Sequence, residues 1–544
     1  MTTTAPELHP SPDPYPAPDP HPASTLTGTL ALLRFALRRD RVQIPVWAGV
    51  NALMVLSMPG TLQGLYATAA ERASLRAQMT ANASLRALTG PLLDDSVGGM
   101  TAWRAGVYAG LLAAAMSLLI VVRHTRDEEE SGRAELLASA AVGRRAPLTA
   151  ALLAASVANG VLALLLVAGM ATYGASGALA LALGVAGTGL VFAGVAAVAA
   201  QLTQSARLAR GLTSAVLGAA FVLRAAGDSA RADGSSALTW LSPLGWQENL
   251  RPYAGERWWV LLLFAAAILS LGALAFTLAA RRDLGMSFLP TRPGPARGRL
   301  SSAAALAWRL QRGALLGWSI GFFLAGVVYG GLTQGAAQMM GDNEGVRQIL
   351  ERMGGRAGAE DAFLSAMTGM LGLVAALYIV SSVLRLASEE TSGRAEPVLA
   401  CAVSRLNWAA SHLTVSFAGS AALMLLASLG FMAGYGHRPA TLLAACLIQL
   451  PAIWTLGALT VLLYGVLPRA ATIAWAAAGA TVLLGWVGPA VNAPQLLLDL
   501  SPYAHLPKLP AAPMEWTPVA TLLTVTAALT YAGLTGIRRR DMAG

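Results

Sequence analysis

Apolar runs of about 20 residues recur along the whole chain, separated by polar segments. An α-helix rises about 1.5 Å per residue, so about 20 apolar residues cross a hydrocarbon core of ~30 Å. The pattern therefore predicts an all-α, polytopic membrane protein with about twelve transmembrane helices. The six predicted spans of the first half are 44–65, 102–122, 148–172, 177–200, 212–226 and 258–280. The six predicted spans of the second half are 313–333, 364–384, 412–434, 440–466, 470–490 and 517–537.

The composition agrees with this pattern. Hydrophobic residues make up 55% of the 544-residue chain and charged residues only 12%, whereas a soluble globular chain carries about 25% charged residues. This balance excludes a disordered protein and disfavours a soluble enzyme. The chain has two cysteines, Cys401 and Cys446, too few for a disulfide framework or a cysteine-based metal site.

The region before the first span has two parts. Residues 1–25 are rich in alternating prolines, which predicts a disordered cytoplasmic tail. In residues 26–42, Leu30, Leu33 and Leu37 fall on one helical face and arginines cluster toward the end. This pattern predicts an amphipathic helix at the inner membrane surface; the alternative is a simple extension of the first span.

The net charge of +10 comes almost entirely from arginine. A basic chain can bind nucleic acid, but about two thirds of the 38 basic residues lie on alternate polar segments, as the positive-inside rule requires of cytoplasmic loops. This distribution predicts a multi-pass protein of the cell membrane with both termini in the cytoplasm, and no nucleic-acid partner.

Three strings occur in both halves of the chain, in the same order. They are EEESGRAE at 128–135 with EETSGRAE at 389–396, LSP at 241–243 with 500–502, and RRD at 281–283 with 539–541. Two halves with even numbers of spans have the same orientation, so the pattern predicts a parallel repeat with a translocation path between the halves. The predicted halves are 26–285 and 300–544, joined by a cytoplasmic linker at 286–299.

The repeated acidic loop between the second and third spans is predicted to dock another protein. Its SGRAE string is kept in both halves although the surrounding apolar helices have diverged. The alternative is a solvated charge run that only fixes topology. Reversing the charge of Glu129 and Glu390 is expected to uncouple transport and leave the protein folded. The predicted coupling residues are Glu128, Glu129, Ser131, Gly132, Arg133 and Glu135, with Glu389, Glu390, Ser392, Gly393, Arg394 and Glu396.

Motifs for several kinds of chemistry are missing from the sequence. Lys508, the only lysine, lies in HLPKLP and not in the glycine-rich loop of a P-loop ATPase. None of the predicted spans contains Asp or Glu, which disfavours a proton relay. No HExxH motif occurs. The chain is therefore predicted not to be an enzyme and to hold no metal or cofactor of its own.

The repeated loop, the LSP turn before the last span of each half and the RRD ends together resemble the permease subunit of an ABC exporter. The most similar type is the polyketide-antibiotic, or tetronasin-resistance, permease. The resemblance implies two copies of a separate ATP-binding subunit, which would hold ATP and Mg²⁺. It further implies interfacial helices at 26–42 and 300–312, coupling helices at 127–142 and 388–403, and external gates at 227–257 and 491–516.

The resulting hypothesis is multidrug efflux of hydrophobic, drug-like or polyketide antibiotic molecules from the inner leaflet or the cytosol, which would give antibiotic resistance. Two alternatives stay open: a proton-driven secondary drug carrier with twelve spans, and a membrane scaffold that transports nothing. Methionine and aromatic side chains suit apolar ligands of varied shape, although most such residues only pack a core. The predicted substrate path contains Tyr108, Met116, Phe221, Met370, Tyr378 and Trp475.

Overall fold

The structure is a computed structural model that describes residues 25–138, 142–283, 285–289, 298, 300–342, 358–486 and 494–541. These residues form helices and connecting turns with one isolated β-bridge. The chain divides into two compact units, Met1–Arg292 (unit 1) and Pro293–Gly544 (unit 2). The proline-rich residues 1–24 and most of the predicted linker lie outside the described residues.

Unit 1 is built from fourteen described α-helices. One of them shows how a helix start is set: Thr68 accepts a hydrogen bond from the Glu71 backbone, and Glu71 accepts one from the Thr68 backbone, which forms a capping box. The helices are α1 Thr29–Arg39, α2 Gln43–Leu56, α3 Met58–Leu65, α4 Ala69–Ala81, α5 Ala83–Thr89, α6 Val97–Arg123, α7 Arg126–Glu130, α8 Arg133–Ala138, α9 Ala146–Met170, α10 Ala175–Leu202, α11 Ala206–Ala230, α12 Ala237–Trp240, α13 Pro243–Asn249 and α14 Leu261–Ala280.

Unit 2 has ten described α-helices. Ser404 starts the longest apolar one after the repeated loop, because its hydroxyl accepts a hydrogen bond from the Asn407 backbone. The helices are α15 Ala303–Asp342, α16 Ala359–Val383, α17 Arg385–Thr391, α18 Glu396–Leu399, α19 Arg405–Tyr435, α20 Pro439–Leu447, α21 Leu450–Val466, α22 Ile473–Trp486, α23 Gln495–Leu498 and α24 Trp516–Arg539.

Eleven helical segments of the described chain are long and apolar enough to cross a membrane. They confirm the prediction of an all-α, multi-pass membrane protein. The predicted span at 470–490 contains a shorter apolar helix, α22, and its last four residues lie outside the described part. The predicted span at 212–226 is longer than expected, since α11 reaches Ala230.

The predicted amphipathic helix before the first span is a separate element in unit 1. α1 ends at Arg39 and α2 begins at Gln43. Asp40, between them, is fully buried and lies 2.9 Å from Arg123 Nη1 and 2.6 Å from His124 Nε2. Because this carboxylate is bound to the end of α6, the chain turns there, so the helix does not simply extend the first span.

The corresponding prediction for unit 2, a separate interfacial helix at 300–312, is wrong. Residues from Ala303 onward form one continuous helix, α15. Gln311 occupies the place that Asp40 has in the first half, and its amide bonds to Ser382 and to His412. A neutral amide inside a helix makes these contacts without leaving the helical path, so no break forms.

α15 and α19 pack against each other through glycines. Gly326 and Gly330 on α15 meet Gly430 and Gly434 on α19. A Cβ atom at Gly330 would lie only 2.5 Å from the carbonyl oxygen of Phe431. Small residues four positions apart let two membrane helices approach backbone to backbone, where van der Waals contact replaces the missing hydrophobic effect.

Replacing Gly330 with leucine should lower the melting temperature of the detergent-purified chain, because the side chain has no space between the two backbones. Overpacking of this kind costs about 1–3 kcal/mol. Gly321 lies on the same helix with no atom within 4 Å of its would-be Cβ, so Gly321→Leu is the matched control and should melt like the parent. Equal losses in the two variants would show that these helices do not pack closely.

Candidate coupling site

In unit 1 the loop between the second and third spans forms two short helices joined by a glycine turn. α6 ends at Arg123, α7 follows, and Ser131 and Gly132 lead into α8. Gly132 has a φ of +72°, a left-handed conformation that costs other residues about 1–2 kcal/mol. Ser131, Arg133 and Glu135 are exposed.

Unit 2 repeats this geometry. α17 ends at Thr391, and Ser392 and Gly393, whose φ is +70°, lead toward α18. Ser392, Arg394 and Glu396 are exposed. Each predicted coupling helix is therefore not one helix but two short ones, because the glycine's left-handed backbone breaks the hydrogen-bond ladder. We call residues 131–133 and 392–394 inner turns 1 and 2, after the cytoplasmic side on which the sequence predicts them.

A buried arginine–glutamate pair fastens inner turn 1 to the rest of unit 1. Arg282, just after α14, donates hydrogen bonds from Nη1 to Glu129 at 2.8 Å and from Nε to Gln201 at 2.6 Å. Arg144, just before α9, donates to the carbonyl oxygen of Arg282 at 2.9 Å. Glu129 is also 2.7 Å from Arg126. We call Glu129, Arg282, Gln201 and Arg144 clamp 1.

Unit 2 contains the same arrangement. Arg540 donates two hydrogen bonds to Glu390, at 2.6 and 2.7 Å. These bonds raise the pKa of Arg540 above its ordinary value. Tyr464 donates its hydroxyl to Glu390, and its ring lies 4.8 Å from the Arg540 guanidinium. Arg405 donates to the carbonyl oxygen of Arg540 at 2.7 Å. We call Glu390, Arg540, Tyr464 and Arg405 clamp 2.

The two clamps explain why two of the repeated strings occur together. In both units the second glutamate of the acidic string pairs with the second arginine of the RRD string. Each clamp joins the inner turn to the end of the fourth span, the end of the sixth span and the start of the third. The arginine–carboxylate contacts are charge-assisted, so displacement of an inner turn would be carried to three spans.

The preceding glutamates hold the arginines of the inner turns. Arg133 lies 3.6 Å from Glu128, and Arg394 lies 3.7 Å from Glu389. Glu128 also pairs with Arg39 of α1. Both glutamates are mostly buried, whereas both turn arginines have 58% of their side chains exposed.

Glu129 and Glu390 are therefore not exposed residues that a partner could contact directly. Glu129 is 11% and Glu390 5% exposed, and each is ion-paired within its own unit. Charge reversal at these positions would place cations against buried arginines, so we no longer expect such a variant to stay folded. The docking role of the loops stays a prediction, and the surface available for it is the inner turn with Glu135 or Glu396.

Within each unit, the predicted substrate-path residues lie in different surroundings. Met116 and Tyr378 are buried in the hydrophobic cores of their units, whereas Trp475 is 45% exposed. Phe221 packs on a different cluster from Met116, 4.9 Å from the Arg224 guanidinium. Tyr108 and Met370 are half-buried on α6 and α16. Their role in transport stays a prediction.

A cavity that the sequence did not reveal lies beside clamp 1. Its volume of about 420 Å³ is within the usual range of small-molecule pockets. One wall is apolar and comes from α1 and the start of α9, and the other is ionic and belongs to the clamp. The wall residues include Leu32, Phe35, Leu148, Gln201, Glu129 and Arg282.

The predicted external gate of unit 1, residues 227–257, is folded into the helix bundle. Gln247 of α13 donates from Nε2 to the carbonyl oxygen of Gly106 at 2.6 Å and accepts from Thr188 at 3.2 Å. A Cβ atom at Gly110 would collide with Gln247. Polar backbone at membrane depth is tolerated where protein surrounds it.

The corresponding segment of unit 2, predicted at 491–516, is described from residue 494. Tyr503 follows its LSP string and donates to the carbonyl oxygen of Gly372 at 2.7 Å. The second spans of both units therefore receive a hydrogen bond at a glycine from the segment before the last span. Whether these segments open and close stays a prediction.

Sequence reasoning missed a group of buried ionisable residues in unit 1. Arg224 and Asp228 are fully buried on α11, and Glu248 of α13 is 12% exposed at its side chain. The expectation that no Asp or Glu lies in a span is wrong at Asp228, because α11 continues past the predicted end at residue 226. The spacing of four residues between Arg224 and Asp228, which places them on one helical face, was the available signal.

Two units of membrane-length helices, each with a clamped inner turn on a repeated loop, define a polytopic membrane protein of the permease class. The chain is 44% identical over 536 residues to the multidrug efflux system permease protein Rv1217c of Mycobacterium tuberculosis (strain ATCC 25618 / H37Rv); this match covers 95% of the chain and 96% of the relative. The family model for the C-terminal domain of multidrug efflux system permease Rv1217c matches residues 300–538. The chain therefore belongs to the family of multidrug efflux system permeases.

Removing either charge of clamp 2, by Glu390→Gln or Arg540→Gln, should lower the melting temperature. An unpaired buried charge costs about 3–5 kcal/mol. The double variant should melt no lower than the worse single variant, since both singles break the same contact. Glu396→Gln on the exposed side of the loop is the control and should change stability by less than about 0.5 kcal/mol. Additive losses in the double variant would disprove the pairing.

Proposed function

We propose that the chain is the membrane permease of an ATP-driven efflux system that exports hydrophobic, drug-like molecules. The relative from Mycobacterium tuberculosis is named a multidrug efflux system permease protein, and its identity along nearly the whole chain supports the same role. Two copies of a separate ATP-binding subunit would provide the energy and hold ATP and Mg²⁺. Polyketide antibiotics are the substrate class that the family resemblance suggests.

The observation that carries this proposal is the duplicated link between an exposed turn and a buried clamp. Each inner turn presents a serine, a glycine and an arginine whose side chain is 58% exposed. Behind it, the clamp is tied to three spans of the same unit. A partner that binds and moves the turn would therefore move helix ends directly, which is the mechanical requirement for an external motor.

The proposal places the inner turns and both termini in the cytoplasm and the spans in the cell membrane. The positive-inside rule supports this orientation, since the clamp arginines Arg144, Arg282, Arg405 and Arg540 lie at the helix ends nearest the turns. In this arrangement the chain itself carries out no hydrolysis, and the partner subunit is the enzyme.

A proton-driven carrier is the second candidate, and one observation favours it. Asp228 and Glu248 are buried carboxylic acids in the membrane region of unit 1, the kind of residue that proton-coupled carriers use. Collapsing the proton gradient in cells with maintained ATP separates the two mechanisms. Export of a fluorescent apolar dye should continue under the ATP-driven mechanism, and its loss would favour the carrier.

Reversing the exposed charges beside both inner turns, with Glu135→Arg and Glu396→Arg together, should weaken partner binding and export by about tenfold or more. Tenfold corresponds to about 1.4 kcal/mol, a modest loss for two unfavourable charges at an interface. Co-purification of the ATP-binding subunit and dye export from cells measure the effect. The melting temperature should not change, because both carboxylates are exposed.

Glu515→Arg provides the control for the same change of charge. Glu515 is exposed and directly precedes α24, at the end of that helix opposite to clamp 2. This variant should bind the partner and export dye like the parent. Full partner binding and export by the double variant would contradict the docking role of the inner turns.

A further inference from the structure

The end of unit 1 opposite to clamp 1 contains three ionisable side chains that share one site. Arg224 and Asp228 lie one helical turn apart on α11, and both are completely buried. Glu248 reaches them from α13. A Cβ atom at Gly90 would lie only 2.5 Å from Glu248 Oε1, so the neighbouring loop also encloses the acid.

One nitrogen atom serves both acids. Arg224 Nη1 lies 2.9 Å from Glu248 Oε1 and 3.4 Å from Asp228 Oδ2. The other terminal nitrogen, Nη2, donates to the carbonyl oxygens of Ala87 and Leu88 at 2.9 and 3.1 Å. The guanidinium therefore lies between two carboxyl groups and cannot pair fully with both.

Two buried acceptors remain unsatisfied. Thr239 donates to Asp228 Oδ1 at 3.1 Å, but Asp228 Oδ2 and Glu248 Oε2 accept no hydrogen bond although water does not reach them. Two ionised acids and one arginine would also leave a net charge of −1 in the protein interior. Burying an unpaired charge is far more costly than binding a proton.

The other charged groups that face the site do not remove this imbalance. Arg86 donates to backbone carbonyl oxygens, including that of Asp228 at 3.1 Å. Arg251 and Asp94 line a small cavity together with Glu248 and carry opposite charges. Among the described residues, Arg224 is the cation within 4 Å of either acid.

We propose that Asp228 and Glu248 bind one proton between them, and that this shared proton holds α12 and α13 against α11. A proton on either acid supplies the missing donor for the other and brings the three-residue site to zero net charge. Two acids that share a proton behave as one titrating pair. When the pair loses the proton, the acids repel each other and the segment before the last span loosens.

The proton has a route to the site. The cavity beside Glu248 has a volume of about 40 Å³ and is lined by Asp94, Trp103 and Gln247 among others. A water molecule needs at least about 10–15 Å³ of such space and two or more polar partners, and the cavity supplies both. Water there would exchange the proton with the membrane surface on this side.

The site belongs to the first half of the chain. In the register of the repeated LSP string, Arg224, Asp228 and Glu248 correspond to Leu483, Val487 and Pro507, none of which can titrate. Proton binding would therefore regulate the contact of α12 and α13 with α11 in the first half, and the corresponding positions of the second half have no group that could do so. The inference does not rest on the proposed energy source.

Infrared spectroscopy of the full-length permease in lipid tests the proposal directly. A protonated carboxyl group gives a carbonyl stretch that shifts on deuteration, and the parent protein should show it at neutral pH and lose it on strong alkalinisation. Asp228→Asn and Glu248→Gln should each abolish the band. The matched control is Asp361→Asn. Asp361 lies on α16 and is paired with Arg438, so this variant should keep the band.

A stability measurement gives a second readout. An acid that keeps its proton when folded but loses it when unfolded makes the folded state less stable as pH rises, until the folded pair itself deprotonates. The melting temperature of the parent should therefore fall from mildly acidic to mildly alkaline pH relative to that of Asp228→Asn. Absence of the band in the parent at neutral pH, or its persistence in both variants, would overturn the proposal.

Discussion

In each unit, a glutamate behind the inner turn and an arginine after the last span form an ion pair shielded from water. The pair connects residues 153 positions apart in unit 1 and 150 apart in unit 2. Because the arginine is also held by a fourth-span side chain and bonded by an arginine before the third span, the ends of three spans and the turn are joined at one point. Breaking the pair would strand a buried charge, so the turn cannot move independently of the helices.

This constraint separates the roles of neighbouring residues in the repeated acidic string. The first two glutamates of each string are mostly buried and position the loop, whereas Ser131, Gly132 and Arg133, and their counterparts in unit 2, form its accessible surface. The left-handed glycine lets the chain reverse between two short helices without a side chain at the apex.

Much of the fold could be predicted from the sequence because a bilayer requires long apolar runs, and such runs are visible without any tertiary information. The repeated strings were likewise visible, but their partnership was not, since neither periodicity nor composition reports a contact between Glu129 and Arg282. The single helix through Gln311 was missed because the difference from Asp40 lies in what each side chain binds. Asp228 was missed because the predicted span ends at residue 226, whereas in the structure α11 continues to Ala230 and Arg224 and Asp228 share a buried site.

The end of each unit that carries the inner turn and the opposite end have diverged to different extents. At the end that carries the inner turn, both units keep the glutamate–arginine pair, but the fourth-span side chain differs. Gln201 accepts a hydrogen bond from Arg282, whereas Tyr464 donates one to Glu390. At the opposite end, the segment before the last span donates to a glycine carbonyl oxygen in both units, from Gln247 in unit 1 and from Tyr503 in unit 2. Unit 1 adds a buried charged site there. Under the proposed function, a partner contacts both inner turns, so the ends that carry them are constrained alike. The opposite ends need only hold their segments and can do so with different chemistry. Sensitivity to protons would then be a property that one half acquired without disturbing the shared mechanics.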